Sequence, residues 1–591
     1  MTVPAFVIES DDNRAIREFA NAVKRVAGEA IFQIDQTGVG VVVVNAENSF
    51  TVDASLPAAE FSTYNSASGG EVGLSVSALD SAVRNTNKTS PIKIEGSPET
   101  GEVVVRDVDS GRETRLSTKD TDEMRDRPDL EESVADISYD TVVTVPDGQF
   151  RRVVRATNKL SDDIILGVGP DGAETDMTFK TYAEGDVDDI LGYPDHTFAT
   201  TPPAETTAST YTMSYINSIS LGFPAGANDV EFGLAGTEFP LRVEFATNGD
   251  VGADITYYAA PRIANDTESD VLAPIENNRT GTSLFDNPDF EVSMGGSRGK
   301  QFFNLLGTFV DEYKMLVSSE GVETRAVDPS NVALQIINAE PEYFDTYRAV
   351  SGFPDRPVGV SSDRITDLLK VWTSTQQVAF YYDSDVRKVS LQHPIFTARV
   401  ATIDPDSIRK EPDIPQVPLS GEAKIEPATF IGEASEITAA SDTVTLVLSD
   451  GRFYLIDKST GDFKQLETAE VEGRGAGVYS SDYHGQLFNT LPAAGDFSVR
   501  LGTEFPVVYE LNHDGLSMLA TIAPRVMGPD KDISISDITS PLQNEPVDLS
   551  WIEDRDTEDR FDAFSDFERE SISERLRRER LSTFPIEQTA K

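Results

Sequence analysis

The sequence contains no cysteine. That absence excludes disulfides, thiolate nucleophiles, iron–sulfur clusters and cysteine-ligated zinc. Histidine is nearly as scarce: His196, His393, His484 and His513 are the only four in 591 residues, and they are far apart. A histidine-rich metal centre or histidine-driven catalysis is therefore not expected. No apolar run reaches the roughly 18 residues needed to cross a bilayer. Met1-Thr2-Val3-Pro4-Ala5-Phe6 lacks the basic-then-apolar order of a secretory signal. Both absences point to a cytoplasmic protein with no membrane partner. There is no glycine-rich phosphate loop, no His-Glu-x-x-His and no nucleophile elbow. The expectation is no catalytic residue, no cofactor and no metal.

What is present is acid. Asp and Glu number 101 against 50 Lys and Arg, a net charge of −51, and only 16 of the basic residues are lysine. Apolar residues make up 39% and aromatics 8%, enough to build cores, so the chain is not a disordered acidic tail. Its length suits about four domains of roughly 150 residues. Acid spread over the whole chain fits a cytoplasm of molar salt. There the Debye length is only ~3 Å, and repulsion among carboxylates is nearly screened. A DNA-mimicking or cation-binding surface is the alternative. Either way, any nucleic-acid contact must rest on local basic clusters.

Internal repeats organise the chain. GVGVVVVNAENSFTVDASLPAAEF at 38–61 aligns without gaps to GVETRAVDPSNVALQIINAEPEYF at 321–344. Further on, Val72-Gly73-Leu74-Ser75 matches Val358-Gly359-Val360-Ser361. Arg125, Pro128, Asp129 and Leu130 match Arg409, Pro412, Asp413 and Ile414. Gly236-Thr237-Glu238-Phe239-Pro240 matches Gly502-Thr503-Glu504-Phe505-Pro506, and Ala260-Pro261-Arg262-Ile263 matches Ala523-Pro524-Arg525-Val526. The order is collinear, so the chain reads as a tandem duplication. Within each unit a strand, a helix, a run of strands and a second helix occur, then begin again near 137. The expected divisions are 1–118, a connecting loop at 119–136, 137–263, a polar linker at 264–289, 290–402, a second connecting loop at 403–420, 421–527 and an acidic tail at 528–591. In the tail, 528–555 reads as loop and 556–580 as a charged helix with i, i+4 Glu and Arg pairs. The fold class is α+β.

These residues resemble the sliding clamp family (proliferating cell nuclear antigen), in its haloarchaeal form. The most specific strings are Ala326-Val327-Asp328-Pro329-Ser330-Asn331-Val332, Phe344-Asp345-Thr346-Tyr347-Arg348, Ile403-Asp404-Pro405-Asp406-Ser407-Ile408-Arg409 and Thr521-Ile522-Ala523-Pro524-Arg525-Val526. In the first unit they are Ala183-Glu184-Gly185-Asp186-Val187-Asp188-Asp189 and Tyr257-Tyr258-Ala259-Ala260-Pro261-Arg262-Ile263. The resemblance implies two clamp subunits in tandem, four similar domains, each with two helices on curved antiparallel sheets. It implies a non-enzymatic processivity factor whose ring encircles duplex DNA without reading its sequence. The implied partners are DNA polymerase and other proteins carrying a clamp-binding peptide, a clamp loader, and further clamp subunits to complete the ring.

The resemblance also assigns residues. Basic side chains on the helices would face DNA: Arg14, Arg17, Lys24, Arg84, Lys88, Arg151, Arg152, Arg155 and Lys159 in the first unit; Arg298, Lys300, Lys314, Arg364 and Lys370 in the second. Any contacts would be to phosphates. Client peptides would dock beside the connecting loop and the C-terminal segment of each unit, at Val327, Val332, Leu334, Ile408, Ile414, Pro506, Ala523 and Pro524, and at Val44, Leu130, Pro240, Tyr258, Ala260 and Pro261. Unit 1 places Ser49 and Thr51 where unit 2 has Val332 and Leu334, and its loop lacks the Asp-Pro-Asp of unit 2. Unit 2 is therefore expected to be the better peptide site. Ring closure would use sheet edges: Glu113–Ser117 and Thr178–Ala183 in unit 1, Phe396–Ile403 and Phe453–Asp457 in unit 2. Four domains could be completed by a third clamp subunit, by three chains making two rings, or left as an open clamp-like factor. A non-encircling accessory protein or a structural virion or surface protein is the alternative class.

Overall fold

Strict alternation of buried residues with half-buried or exposed ones in Phe6–Ser10, Glu102–Asp107 and Glu312–Ser318 produces strands with one face on a core. Apolar residues three and four apart produce helices instead. Ile16, Phe19, Ala20 and Val23 form the buried stripe of α1, Arg14–Lys24. The other helices are α2 Val76–Arg84, α3 Asp147–Thr157, α4 Met213–Gly222, α5 Gly296–Leu306, α6 Ser362–Leu369, α7 Pro427–Ala440 and α8 Ser481–Phe488. The Ser75 hydroxyl starts α2 by accepting the Ala78 N–H at 3.3 Å. The computed structural model describes residues 5–262, 288–525 and 540–553, apart from 67–68, 88, 98–99, 126–127, 129, 131–136, 172, 186–187, 225–228, 237, 247–251, 351–356, 385–386, 411–418, 458, 504, 544 and 546. The linker at 264–287, the helix read at 556–580, Lys88 and Ile414 lie outside the described residues.

The chain divides into two compact units, 1–286 with 390–400, and 287–389 with 401–591. In unit 1 a nine-stranded antiparallel sheet runs Thr197–Phe198, Thr141–Val145, Val230–Leu234, Leu241–Ala246, Asp254–Ala259, Phe50–Pro57, Gly38–Val44, Glu29–Ile34, Gly70–Ser75. Its two domains meet where Tyr257 pairs with Val52. A five-stranded sheet ends at Glu113–Ser117, beside Glu102–Asp107. A third sheet passes through Thr207–Thr212, Asp163–Asp171, Ala173–Glu184 and Asp189–Gly192 to the strand at 396–400, part of the late segment 390–400 that belongs to this unit. Arg399 pairs there with the buried Asp189. One apolar core runs through both domains, from Phe6 to Ala259.

Unit 2 repeats the plan. Its nine-stranded sheet runs Val358–Ser361, Glu312–Ser318, Gly321–Val327, Ala333–Ala339, Leu516–Ile522, Val507–His513, Asp496–Leu501, Gly421–Lys424, Glu470–Gly473. The domains meet where Ile337 pairs with Met518. Phe290–Gly295 lies between Thr346–Ala349 and Gln377–Asp383. A four-stranded sheet orders Phe463–Gln465, Arg452–Asp457, Thr443–Ser449 and Gly475–Ser480. In its core the fully buried Phe430 ring lies 5.2 to 6.0 Å from the rings of Phe488, Phe497, Phe453 and Tyr509.

Four expectations are corrected here. Phe396–Ile403 is not an open edge of unit 2, because 390–400 falls in unit 1 and Asp189–Gly192 pairs along it. Thr178–Ala183 is not an edge, because Asp189–Gly192 pairs alongside it. Phe453–Asp457 is likewise interior, because Phe463–Gln465 pairs beside it. And 528–555 is not all loose loop. Ser540–Leu542 forms a 3₁₀ turn and Ser550–Glu553 a helical turn. Leu542 and Ile552 join Val447, Tyr454, Ile456, Ala476 and Val478 in an apolar cluster on the last sheet. The polar ends are fixed as well. Asp548 N–H donates to Asp450 at 2.7 Å, and its carbonyl accepts from the Ser449 hydroxyl at 3.0 Å.

Candidate nucleic-acid and peptide interfaces

The helices pack side by side, α1 on α2, α3 on α4 and α1 on α4 in unit 1, and α5 on α6 and α7 on α8 in unit 2. Their basic residues are more committed than a sequence shows. Lys24 and Arg84 both reach the buried Asp80, at 2.8 and 2.6 Å. Burial pushes the Asp80 carboxyl up, but these two partners reverse that and hold it below its ordinary value. Arg14 is half exposed and paired with Asp12. Arg17 donates to the carbonyls of Arg84 and Thr86, tying α1 to the end of α2. In α3, Arg151 pairs with Asp147 at 3.3 Å and donates to Pro224 O at 2.9 Å. Arg152 is half-buried, and Arg155 and Lys159 are exposed.

In unit 2, Arg298 donates to Tyr343 O at 3.0 Å and lies over the Tyr343 ring, and Lys300 donates to Trp372 O at 2.6 Å. Arg364 is exposed on α6, and Lys370, just past its end, pairs with Asp367. Lys314 is not on a helix. It lies in Glu312–Ser318, where Tyr313, Met315 and Val317 take the core face and leave Lys314 on the other. α7 has no basic residue, but Lys464 from the neighbouring strand reaches its Glu433 and Glu436. Those two hydrogen bonds raise the Lys464 pKa.

The second site lies on the sheet face that carries Lys314. Register places Val327 opposite Leu334 and Ile336 opposite Leu519, with Val508 and Leu334 both paired to Thr521. Val327, Leu334, Ile336, Val508 and Leu519 form one apolar cluster, with Leu419 from the end of the connecting loop packed against it. The loop's start is anchored too. Arg409 donates to Asp328 O at 3.1 Å, to Pro329 O at 2.6 Å and to the Asn331 side chain at 2.7 Å. Ile408 is buried against Gly359, where an added Cβ would come within 2.2 Å of Ile403 O. Asp328 accepts from the N–H groups of Val332 and Ala333 and from the Tyr483 hydroxyl at 2.7 Å. Burial works against its charge, and these bonds hold its pKa below the ordinary value. Ala523 N–H donates to Val332 O at 2.7 Å; Pro524, the next residue, and Pro506, just before Val507, which pairs with Ile522, are half-buried.

Unit 1 builds the same frame from other residues. Arg125 donates to Asn45 O and to the Asn48 side chain. Asn48 and Asn331 occupy the same left-handed turn position, φ 59° and 58°. Asn45 replaces Asp328 and accepts from Ser49 and Phe50 N–H, and Ser49 Oγ meets Tyr215 Oη at 2.8 Å. Ala260 N–H donates to Ser49 O at 2.8 Å. Where unit 2 is apolar, however, unit 1 has Thr51, Asp53, Thr256 and Arg242. Arg242 lies 4.6 Å over the ring of Tyr139, the counterpart of Leu419. Val44, Leu130, Pro240, Tyr258 and Pro261 are half-buried, without the continuous apolar floor. The expected lists missed Ile336, Val508, Leu519 and Leu419, although alternation along Ala333–Ala339 carries the first. They also missed the two arginine anchors, visible as Arg125 and Arg409 in the repeat.

A pair of domains sharing a nine-stranded sheet, with two helices per domain, defines the DNA-clamp fold, and the chain carries it twice. No family model matches the chain. It is 30% identical over 210 residues to the DNA polymerase sliding clamp of Natronomonas pharaonis, covering 34% of this chain and 83% of that one. It is 29% identical over 210 residues to the DNA polymerase sliding clamp of Haloarcula marismortui, with the same coverage. Among solved structures, one described as the C-terminal region of FEN-1 bound to A. fulgidus PCNA is 26% identical, with TM-score 0.37, over 40% of this chain and 99% of that one. The chain belongs to the DNA polymerase sliding clamp family. Sliding clamps are non-enzymatic processivity factors, so this chain is not an enzyme. Among the described residues, no helix is long and apolar enough to cross a membrane.

Proposed function

We propose that the chain is two haloarchaeal-type clamp subunits fused in tandem, a processivity factor that encircles duplex DNA and tethers polymerase and other client proteins. A clamp loader would open the ring. Two further domains, supplied by another clamp subunit, would complete six. The observation that carries this reading is the repeated plan itself: each unit has its own nine-stranded two-domain sheet and its own row of helices. Arg155, Lys159, Arg364 and Lys370 are exposed and would meet phosphates; Lys24, Arg84 and Lys370 spend part of their charge on neighbouring carboxylates. Enclosure suits an acidic protein in molar salt, because ionic phosphate contacts weaken steeply as salt rises whereas a closed ring does not. The test is retention on plasmid at about 1 M salt after loading with a single-unit clamp and loader. The complex is expected to stay on closed circles and to be lost when the plasmid is cut. Equal retention on both forms rejects encirclement.

Client peptides would dock on unit 2, at the Leu334–Ile336–Leu519 cluster framed by Leu419 and Arg409. A Leu334→Asp substitution puts a charge on an apolar floor and forfeits about 1.5–3 kcal/mol of burial, so affinity for a hydrophobic-aromatic peptide is expected to fall at least tenfold. Thr51→Asp in unit 1 is expected to leave it unchanged. Equal losses from the two substitutions, measured by calorimetric titration, would place the peptide site elsewhere.

A further inference from the structure

The C-terminal segment 540–553 and the apolar cluster that frames the client site lie on different sheets of unit 2, yet a short run of contacts joins them. Leu419 packs on the cluster. The next residue, Ser420, exchanges two hydrogen bonds with Arg474. Arg474 N–H donates to Ser420 O at 3.1 Å, and the Ser420 hydroxyl donates to Arg474 O at 2.6 Å. The approach is close because Gly473, with φ +72°, carries no Cβ; one built there would lie 2.0 Å from Ser420 O. The Arg474 guanidinium then turns the other way. It lies 3.0 Å from Asp450 and 3.6 Å from Asp548 of the C-terminal segment, and Asp548 N–H in turn holds Asp450.

We propose that Arg474 is a positioning residue that couples the docked C-terminal segment to the Leu419 wall of the client-peptide site. The peptide affinity of unit 2 then depends on a segment that does not touch the peptide. This rests on the client reading of the cluster. Three features coincide in one unit: the apolar floor, the docked segment and the arginine between them. Unit 1 has none of the three among its described residues. Thr206 stands where Arg474 would be, before Thr207–Thr212, and its face carries Thr51, Asp53 and Arg242.

The test uses the full chain with Arg474→Ala, Asp548→Asn and Arg474→Lys. Two quantities are read: the affinity of a fluorescein-labelled peptide carrying one leucine and a Phe-Phe pair, and the hydrogen exchange of the Arg474 amide without peptide. A half-exposed ion pair of this kind supports a two- to fivefold effect. Arg474→Ala and Asp548→Asn are expected to weaken the peptide by about that factor and to speed exchange of the backbone amide at position 474, with an unchanged melting temperature. Arg474→Lys should recover part of both. A side chain that merely stabilises the fold would move the melting temperature and leave affinity alone, which overturns the proposal. Unchanged exchange and affinity in both variants also overturn it. If the unaltered chain does not bind the peptide, the client reading fails. The exchange rates then decide the coupling alone: faster exchange in the variants supports it, and unchanged exchange rejects it.

Discussion

Replacing Ile552 by alanine is expected to cost unit 2 about 2–4 kcal/mol, and ending the chain at residue 539 at least as much. Ile552 is 2% exposed and Leu542 1%, both within the cluster formed by Val447, Tyr454, Ile456, Ala476 and Val478. Every residue of Thr443–Ser449 is buried, which a strand achieves only when both faces of its sheet are covered. α7 and α8 cover one face, and 540–553 covers the other. The loss from any single change in the segment is bounded by its docking free energy, because the segment can detach while the sheet stays folded. Ile552→Ala and the truncation should therefore converge if detachment is what happens. Calorimetry would show a lowered unit 2 transition, and a hydrophobic dye should bind the bared Tyr454 and Ile456. An unchanged transition with no dye uptake would mean that the segment is not part of the domain.

That segment also shows where sequence reading stops. The helices α1, α2 and α3 were legible because Ile16, Phe19 and Val23, or Phe150, Val153 and Val154, repeat at helical spacing over several turns. The strand expected at Gly40–Val44, observed as Gly38–Val44, and the strand Glu113–Ser117 were legible from a β-branched run and from alternation. Val547, Leu549 and Trp551 alternate with Asp548 and Ser550 as a strand would, yet 547–549 are in no strand and Trp551 lies in a helical turn; Leu542 and Ile552 fall off that period, since a segment laid across a sheet touches it wherever the path allows. Lys314 was misplaced against a legible pattern. Its strand alternates through Tyr313, Met315 and Val317, a period of two that no helix shares. The client face was half legible. Val327 and Leu334 came from the resemblance, while Ile336 meets Val508 and Leu519 only because Ala333–Ala339 pairs with a hairpin far along the chain, Val507–His513 and Leu516–Ile522. The two paired strands that demote Thr178–Ala183 and Phe453–Asp457 from edges are four and three residues long, too short to announce themselves beside loops.

Acid is expected to weaken unit 2 through the protonation of His484. Its ring is fully buried among Tyr479, Phe488 and Tyr509, with centroids 5.6 to 5.7 Å away. Nδ1 lies 2.8 Å from Ser480 O and donates to it, whereas Nε2 is buried with no hydrogen-bond partner. Protonating Nε2 would create an unpaired charge in an apolar core, so burial pushes the pKa down to about 4, from 6.5. The folded state therefore holds fewer protons than the unfolded one between those values, and stability falls as pH falls. The slope is about 1.4 kcal/mol per pH unit, and the loss reaches roughly 3 kcal/mol by pH 4. His393 in unit 1, also buried and also lowered to about 4 by burial, adds the same dependence to that unit. Carboxylates such as Asp328 and Asp457, held below their ordinary pKa, lose their contribution only in a lower window. Denaturant unfolding of unit 2 across pH 7 to 4 should show the His484 slope, and His484→Phe should flatten it while leaving the slope of unit 1. A slope that persists in the variant would move the proton uptake to another group.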